Sequence, residues 1–163
     1  MAIGSHDCRR PPNARDLVER AVDIQIGLIP SLTRMPGGNQ LIYAIDFDGT
    51  IVKHDYPHVG EPVPGALAGM RELVKEGHQI ILYTMRDGKE LDAAVAYLED
   101  AGIPLFGVNE NPAQTWSSSP KPYAHHYIDD SALGCPLRYP PEGSVRERPW
   151  VDWDMVMYFI RTS

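Results

Sequence analysis

The sequence predicts an α/β domain built on a doubly wound parallel sheet, and three observations lead there. Apolar runs of strand length recur at 41–45, 79–83, 105–108 and just before Asp129, each bounded by polar or turn residues. Between them lie segments whose apolar residues recur at helical spacing. Such alternation gives βαβ units, a parallel sheet and right-handed crossovers. The third observation is that the first run, Leu41-Ile42-Tyr43-Ala44-Ile45, leads straight into Asp46-Phe47-Asp48-Gly49-Thr50. A strand buried on both faces reads as a continuous apolar run, and ligands of open α/β sheets sit beyond the carboxyl ends of such strands.

The 163 residues suit one domain with a full α/β core preceded by an extension over 1–40. Residues 1–12, rich in small, basic and proline residues, are expected to be extended or disordered. From Ala14 to residue 29, Leu17, Ala21, Ile24 and Leu28 keep helical spacing, with Asn13 as N-cap and Pro30 near the stop. This amphipathic helix packs on the sheet or offers a dimerisation surface, and 31–40 is the linker into the first strand.

After Thr50, residues 52–62 are too polar and proline-broken for a helix. Pro57 forbids the helical geometry in which His54 and His58 would pair on a metal; Lys53, His54 and Tyr56 are candidate substrate contacts if this is not simply a solvated loop. Pro64 is expected to open a helix through Leu67, Met70, Leu73 and Val74, which Gly77 ends. A strand over 79–84 finishes on Thr84. Lys89 to Asp100 follows as a helix, with Leu91, Ala94, Val95 and Leu98 on its inner face, and Leu105 to Val108 is a third strand. The polar loop 109–123 leaves that strand on the carboxylates' edge, where recognition residues commonly sit. Asn109 and Trp116 are its candidate substrate contacts, although Trp116 also reads as an anchor for the loop. His125 and His126 fall on opposite faces of the next strand and read as structural. A turn or short helix begins at Ser131, 136–149 is irregular, and Pro149 starts an apolar terminal helix that runs through Trp150 to Ile160.

Two carboxylates as close as Asp46 and Asp48 are costly to bury without a cation or a shared proton. Other chemistry-bearing residues follow in order: Thr84 at the end of the second run, Lys121 in the polar loop, and Asp129-Asp130 at the end of the last run. Over roughly 41–135 the chain resembles the haloacid dehalogenase superfamily, whose motifs are a strand ending D-x-D-x-[TV], a strand ending in Ser or Thr, a Lys, and a strand ending in an acidic pair. The resemblance implies a catalytic domain over 41–163, terminal helix included, that hydrolyses phosphomonoesters with Mg2+ as cofactor. It makes Asp46 the nucleophile and Asp48 the general acid and base. Thr84 and Lys121 would hold the transferring oxygens. Asp46, Asp129 and the backbone carbonyl of Asp48 would hold the metal, with Asp130 behind them on a metal-bound water or Lys121. Gly49 and Arg86, beside these motifs, join the candidate substrate contacts.

Asp48 separates the chain from dehalogenases, which lack an acid there, and from ion-pumping ATPases of that superfamily, which carry Thr. A receiver domain would place its acidic pair before its phosphoacceptor, the reverse of the order here. The intervals 51–83 and 85–120 are filled by flap, helices, strands and one loop. No cap domain fits, so the site should be open to a substrate larger than the pocket or to a lid from a second subunit. The alternatives are a non-catalytic phospholigand-binding module and a polynucleotide-end phosphatase. A formal net charge of −7 disfavours nucleic acid and anionic membranes. Two cysteines, Cys8 and Cys135, make a disulfide framework improbable. With neither a secretion signal nor a membrane-length apolar run, the expected compartment is the cytoplasm, and the expected partners are a phosphorylated substrate and, for the lid, a second copy.

Overall fold

The computed structural model describes residues 40–144 and 147–162. The expected N-terminal helix at 14–29, its linker and Cys8 lie outside the described residues. Six strands and three helices follow in the order β1 (Ile42–Ile45), α1 (Ala66–Lys75), β2 (Gln79–Leu82), α2 (Gly88–Asp100), β3 (Gly107–Val108), β4 (His126–Ile128), β5 (Leu137–Arg138), β6 (Trp150–Val151) and α3 (Trp153–Thr162). The main sheet is parallel throughout, in the order β3-β2-β1-β4. The α/β fold predicted from the sequence is therefore the fold observed, and the described residues contain no cap.

Strand alternation divides the core in two. Tyr43 and Ile45 of β1, Ile80 and Leu82 of β2 and Ile128 of β4 share one buried cluster with Met70 and Leu73 of α1, Val95 and Leu98 of α2 and Trp153 of α3. On the opposite face Ala44, Ile81 and Ala124 form a smaller cluster flanked by Ile42, Tyr83 and Phe106. Neither His125 nor His126 is spare. The Ile42 N–H donates to His125 Nδ1 at 2.9 Å, and His126 stacks on Tyr43 with centroids 5.3 Å apart. Both histidines are structural.

Two helix starts differ from expectation. The first helix opens at Ala66 rather than Pro64, after Gly65 takes φ +85°. The terminal helix opens at Trp153, not Pro149: Trp150 and Val151 pair antiparallel with Arg138 and Leu137, and Asp152 Oδ1 accepts the Asp154 and Met155 N–H groups as an N-cap. Apolar residues on both sides of Asp152 hid this strand-to-helix boundary.

Segment 51–63 folds back as an irregular hairpin. Val63 N donates to Ile51 O at 2.9 Å and Lys53 N to Glu61 O at 2.7 Å. Gly60 permits the crossing, because a Cβ there would lie 2.0 Å from the Lys53 carbonyl oxygen. This hairpin is the flap of the non-helical stretch after Thr50, the position at which the resembled superfamily holds one.

Candidate functional site

The order β3-β2-β1-β4 puts a switch point between β1 and β4, since the chain winds one way from β1 to β3 and then returns to the other side. Ligand crevices form at such points. Register sharpens the placement. Ile45 pairs with Ile128, so the next residues, Asp46 and Asp129, leave neighbouring strands side by side, and Asp46 N donates to Ile128 O at 2.9 Å. Carboxylate oxygens of Asp46, Asp129 and Asp130 all lie within 4.8 Å of one another.

Burying Asp46 among other carboxylates has a cost. The Asp46 carboxyl is pushed up to about 7, first by burial and then by Asp129, Asp130 and Asp48, against a stabilising hydrogen bond from the Phe47 backbone. Opposed ligands of a hard divalent cation stand about 4–5 Å apart. Three carboxylates at this spacing therefore fit one such ion, whose charge would offset the burial and the repulsion that raise Asp46.

The turn that carries Asp46 is tied down from several sides. Thr50 Oγ accepts the Asp130 N–H at 3.1 Å and lies 3.4 Å from Asp46 Oδ2. Gly49, at φ +85°, is approached so closely that a Cβ would sit 2.3 Å from His54 Nε2 and 2.6 Å from Asp130 Oδ2. That space is occupied by the pair those atoms make: His54 Nε2 lies 2.9 Å from Asp130 Oδ2. Behind the turn, Val151 N donates to Gly49 O at 2.8 Å and the buried Trp153 indole N–H donates to Thr50 O at 2.8 Å.

The carboxylate of Asp48 points elsewhere. Both of its oxygens accept from Arg86, at 2.7 Å from Nε and 2.7 Å from Nη2. Arg86, set beside the motifs as a substrate contact, is thus committed inside the protein. Asn109 is committed too, because its Oδ1 accepts the Thr84 N–H at 2.8 Å from a left-handed backbone at φ 54°. Thr84 Oγ in turn accepts the Arg86 N–H at 3.2 Å. Trp116 is exposed and meets Tyr123 of its own loop edge-on at 5.7 Å. Lys121 lies over the Tyr127 ring at 4.7 Å and makes no ion pair among the described residues. Of the flap candidates, Lys53 pairs with Glu61 at 3.7 Å, His54 takes Asp130, and the Tyr56 ring lies 5.3 Å from the Arg86 guanidinium.

The structure therefore brings Asp46, Asp129 and Asp130 together, keeps Thr84 at the end of β2, and places Lys121 against an aromatic ring. Sequence reasoning missed three supports of the turn: His54, Trp153 and the Thr50 hydroxyl. Thr50 alone carried a signal, as the Thr of the D-x-D-G-T motif. The other two are tertiary pairings across 76 and 103 positions.

Fold and site together define an α/β protein with an acidic, metal-capable centre at a sheet switch point. In the solved structures, the chain is similar to a conserved protein from Bacteroides thetaiotaomicron. Identity is 32%, the match covers 76% of this chain and 92% of that one, and the TM-score is 0.62. The chain belongs to the same family as that conserved protein. No protein-family model and no curated protein matches it. No helix among the described residues is long and apolar enough to cross a membrane.

Proposed function

We propose that this chain is a Mg2+-dependent phosphohydrolase of the haloacid dehalogenase type, acting on phosphomonoesters through an aspartyl-phosphate. The observation that carries the reading is the convergence of Asp46, Asp129 and Asp130 within 4.8 Å at the switch point. Asp46 and Asp129, with Asp130 beside them and the Asp48 carbonyl, would hold the ion. Once bound, Mg2+ supplies the charge that lets an anionic ester approach a carboxylate.

The chain's own residues then divide the work. An Asp46 carboxylate oxygen attacks phosphorus; the P–O bond to the leaving group breaks and its electron pair stays on the leaving oxygen. Asp48, protonated at the outset, gives its proton to that oxygen and then takes one from the water that cleaves the acyl-phosphate, so one carboxyl serves as acid and base in turn. The Thr84 hydroxyl and the backbone amides after Asp46 hold the transferring oxygens. Lys121 would join them by leaving the Tyr127 ring. With no cap, the substrate itself is proposed to cover the mouth. The exposed Met85 and Leu133, on loops leaving β2 and β4, suit a substrate body larger than its phosphate.

The alternative, a phospholigand-binding module without turnover, is favoured by one observation: both Asp48 oxygens are engaged by Arg86. A panel of phosphomonoesters assayed with Mg2+, and in parallel with EDTA, separates the two. The enzyme reading expects hydrolysis that EDTA abolishes and that Asp46→Asn lowers at least about 10³-fold. Binding of phosphate esters without turnover would replace it with the module. Retained activity in Asp46→Asn would replace the aspartyl-phosphate with a directly activated water.

A further inference from the structure

Arg86 stands two residues beyond Thr84, on the loop that leaves β2, where a solvent-facing side chain is the ordinary outcome. Its side chain is instead 1% exposed. A buried guanidinium costs several kcal/mol unless its charge and donors are matched, and here the matching is nearly complete. Nε and Nη2 hold the two Asp48 oxygens at 2.7 Å each, Nη1 donates to Pro57 O at 3.1 Å, and Nη2 donates to His58 O at 2.6 Å. The guanidinium carbon also lies 4.9 Å from the Phe47 ring centroid and 5.3 Å from that of Tyr56. One side chain thus joins the D-x-D turn, the loop after β2 and the tip of the flap.

The flap's other attachments lie lower down. Its base and stem are held by backbone bonds from Val63 and Lys53, and above the stem His54 takes Asp130. Among the described residues, the hydrogen bonds between tip and body are the two that the Pro57 and His58 carbonyls accept from Arg86. Lifting the tip would strip a buried cation of two acceptors and an aromatic face at once. The remaining partner, Asp48, would then hold a guanidinium opened to water.

We propose that Arg86 is a latch: a positioning residue that makes closure of the flap tip and orientation of the Asp48 carboxyl a single event. A carboxylate offers about four acceptor positions, and the bidentate fork uses two. Of the other two, one can carry the proton destined for a leaving-group oxygen and later accept one from water, in a plane that the fork fixes. The role of Asp48 rests on the phosphohydrolase reading; the latch itself does not.

The test uses the full chain and two readouts. Hydrogen exchange is followed on peptides from the flap, 53–62, and from α1 and α2, in the wild type, Arg86→Gln, Asp48→Asn and the double variant. Each single variant is expected to speed flap exchange by about 10-fold or more while the helices keep their protection. The double variant is expected to be no faster than the faster single one, because both break the same link. Arg86→Lys keeps the charge but loses the fork, and is expected to lie between the wild type and Arg86→Gln. Unchanged flap exchange in both Arg86 variants, or additive effects in the double variant, would overturn the latch.

The second readout is turnover of an alkyl phosphate beside 4-nitrophenyl phosphate, whose leaving group departs with little help from an acid. Arg86→Lys is expected to slow the alkyl ester about 10-fold more than the aryl ester. Equal losses would remove Asp48 orientation from the proposal. A wild type that hydrolyses neither ester would overturn the phosphohydrolase reading, and flap exchange would still decide the latch.

Discussion

Replacing Asp46 by Asn removes a charge that burial and neighbouring carboxylates penalise, so the metal-free protein is expected to gain stability as it loses the nucleophile we propose for it. Burial and three neighbouring carboxylates move Asp46 from an ordinary 3.8 to about 7. Between those values the folded chain keeps a proton that the unfolded chain releases. Stability is thus fullest below the lower value and is lost as pH rises through the upper one. At 1.36 kcal/mol per pH unit the cost is about 2 kcal/mol near pH 5 and about 4 kcal/mol near pH 8.5. Urea unfolding in EDTA, comparing Asp46→Asn with the wild type at both pH values, reads the difference directly. The variant should be the more stable at both, and its advantage should grow by roughly 2–3 kcal/mol between them. Added Mg2+ should shrink that advantage by stabilising the wild type preferentially. An advantage that stays constant from acid to alkaline pH, or a variant less stable at high pH, would refute the reasoning that burial and neighbouring anions penalise the Asp46 charge.

Two further outcomes are expected. Gly49→Ala places a Cβ against the His54–Asp130 pair at a positive φ; thermal unfolding should report a loss of about 2 kcal/mol or more, and titration should report weaker Mg2+ binding. Trp153→Phe keeps an aromatic ring in the core but leaves the Thr50 carbonyl without its donor, so denaturant unfolding should show a loss of about 2–4 kcal/mol, with Asp130 cross-peaks shifted in the folded spectrum.

Much of this architecture was legible because it is written in local pattern. Apolar runs of strand length locate β1, β2 and the strand before Asp129, and helical spacing locates α1 and α2 to within two residues. Grouping Asp46 with Asp129 came from the resemblance to the haloacid dehalogenase superfamily, because local pattern does not give strand order. Less legible were the features made by distant partners. Arg86 carries no local sign of burial, since its matching groups come from Asp48 and from two flap carbonyls. Asn109 looks like a loop amide until its left-handed backbone turns the carboxamide onto Thr84. The Trp150–Ile160 run was read as one helix because apolarity alone does not separate a buried strand from a buried helix; Asp152, with its capping side chain, was the available clue.

The bond from Trp153 to Thr50 also orders events in time. Its partners are 103 residues apart, and at roughly 5–20 residues per second a ribosome takes roughly 5–20 s to make the distance. Throughout that interval Asp46 and Asp48 are already synthesised, while the strand and helix that brace their turn are not. The site is therefore finished among the last parts of the described fold to form, whatever the speed at which the sheet assembles. A nascent chain halted before Val151 would carry the residues for binding metal and lack the support that holds their turn in place.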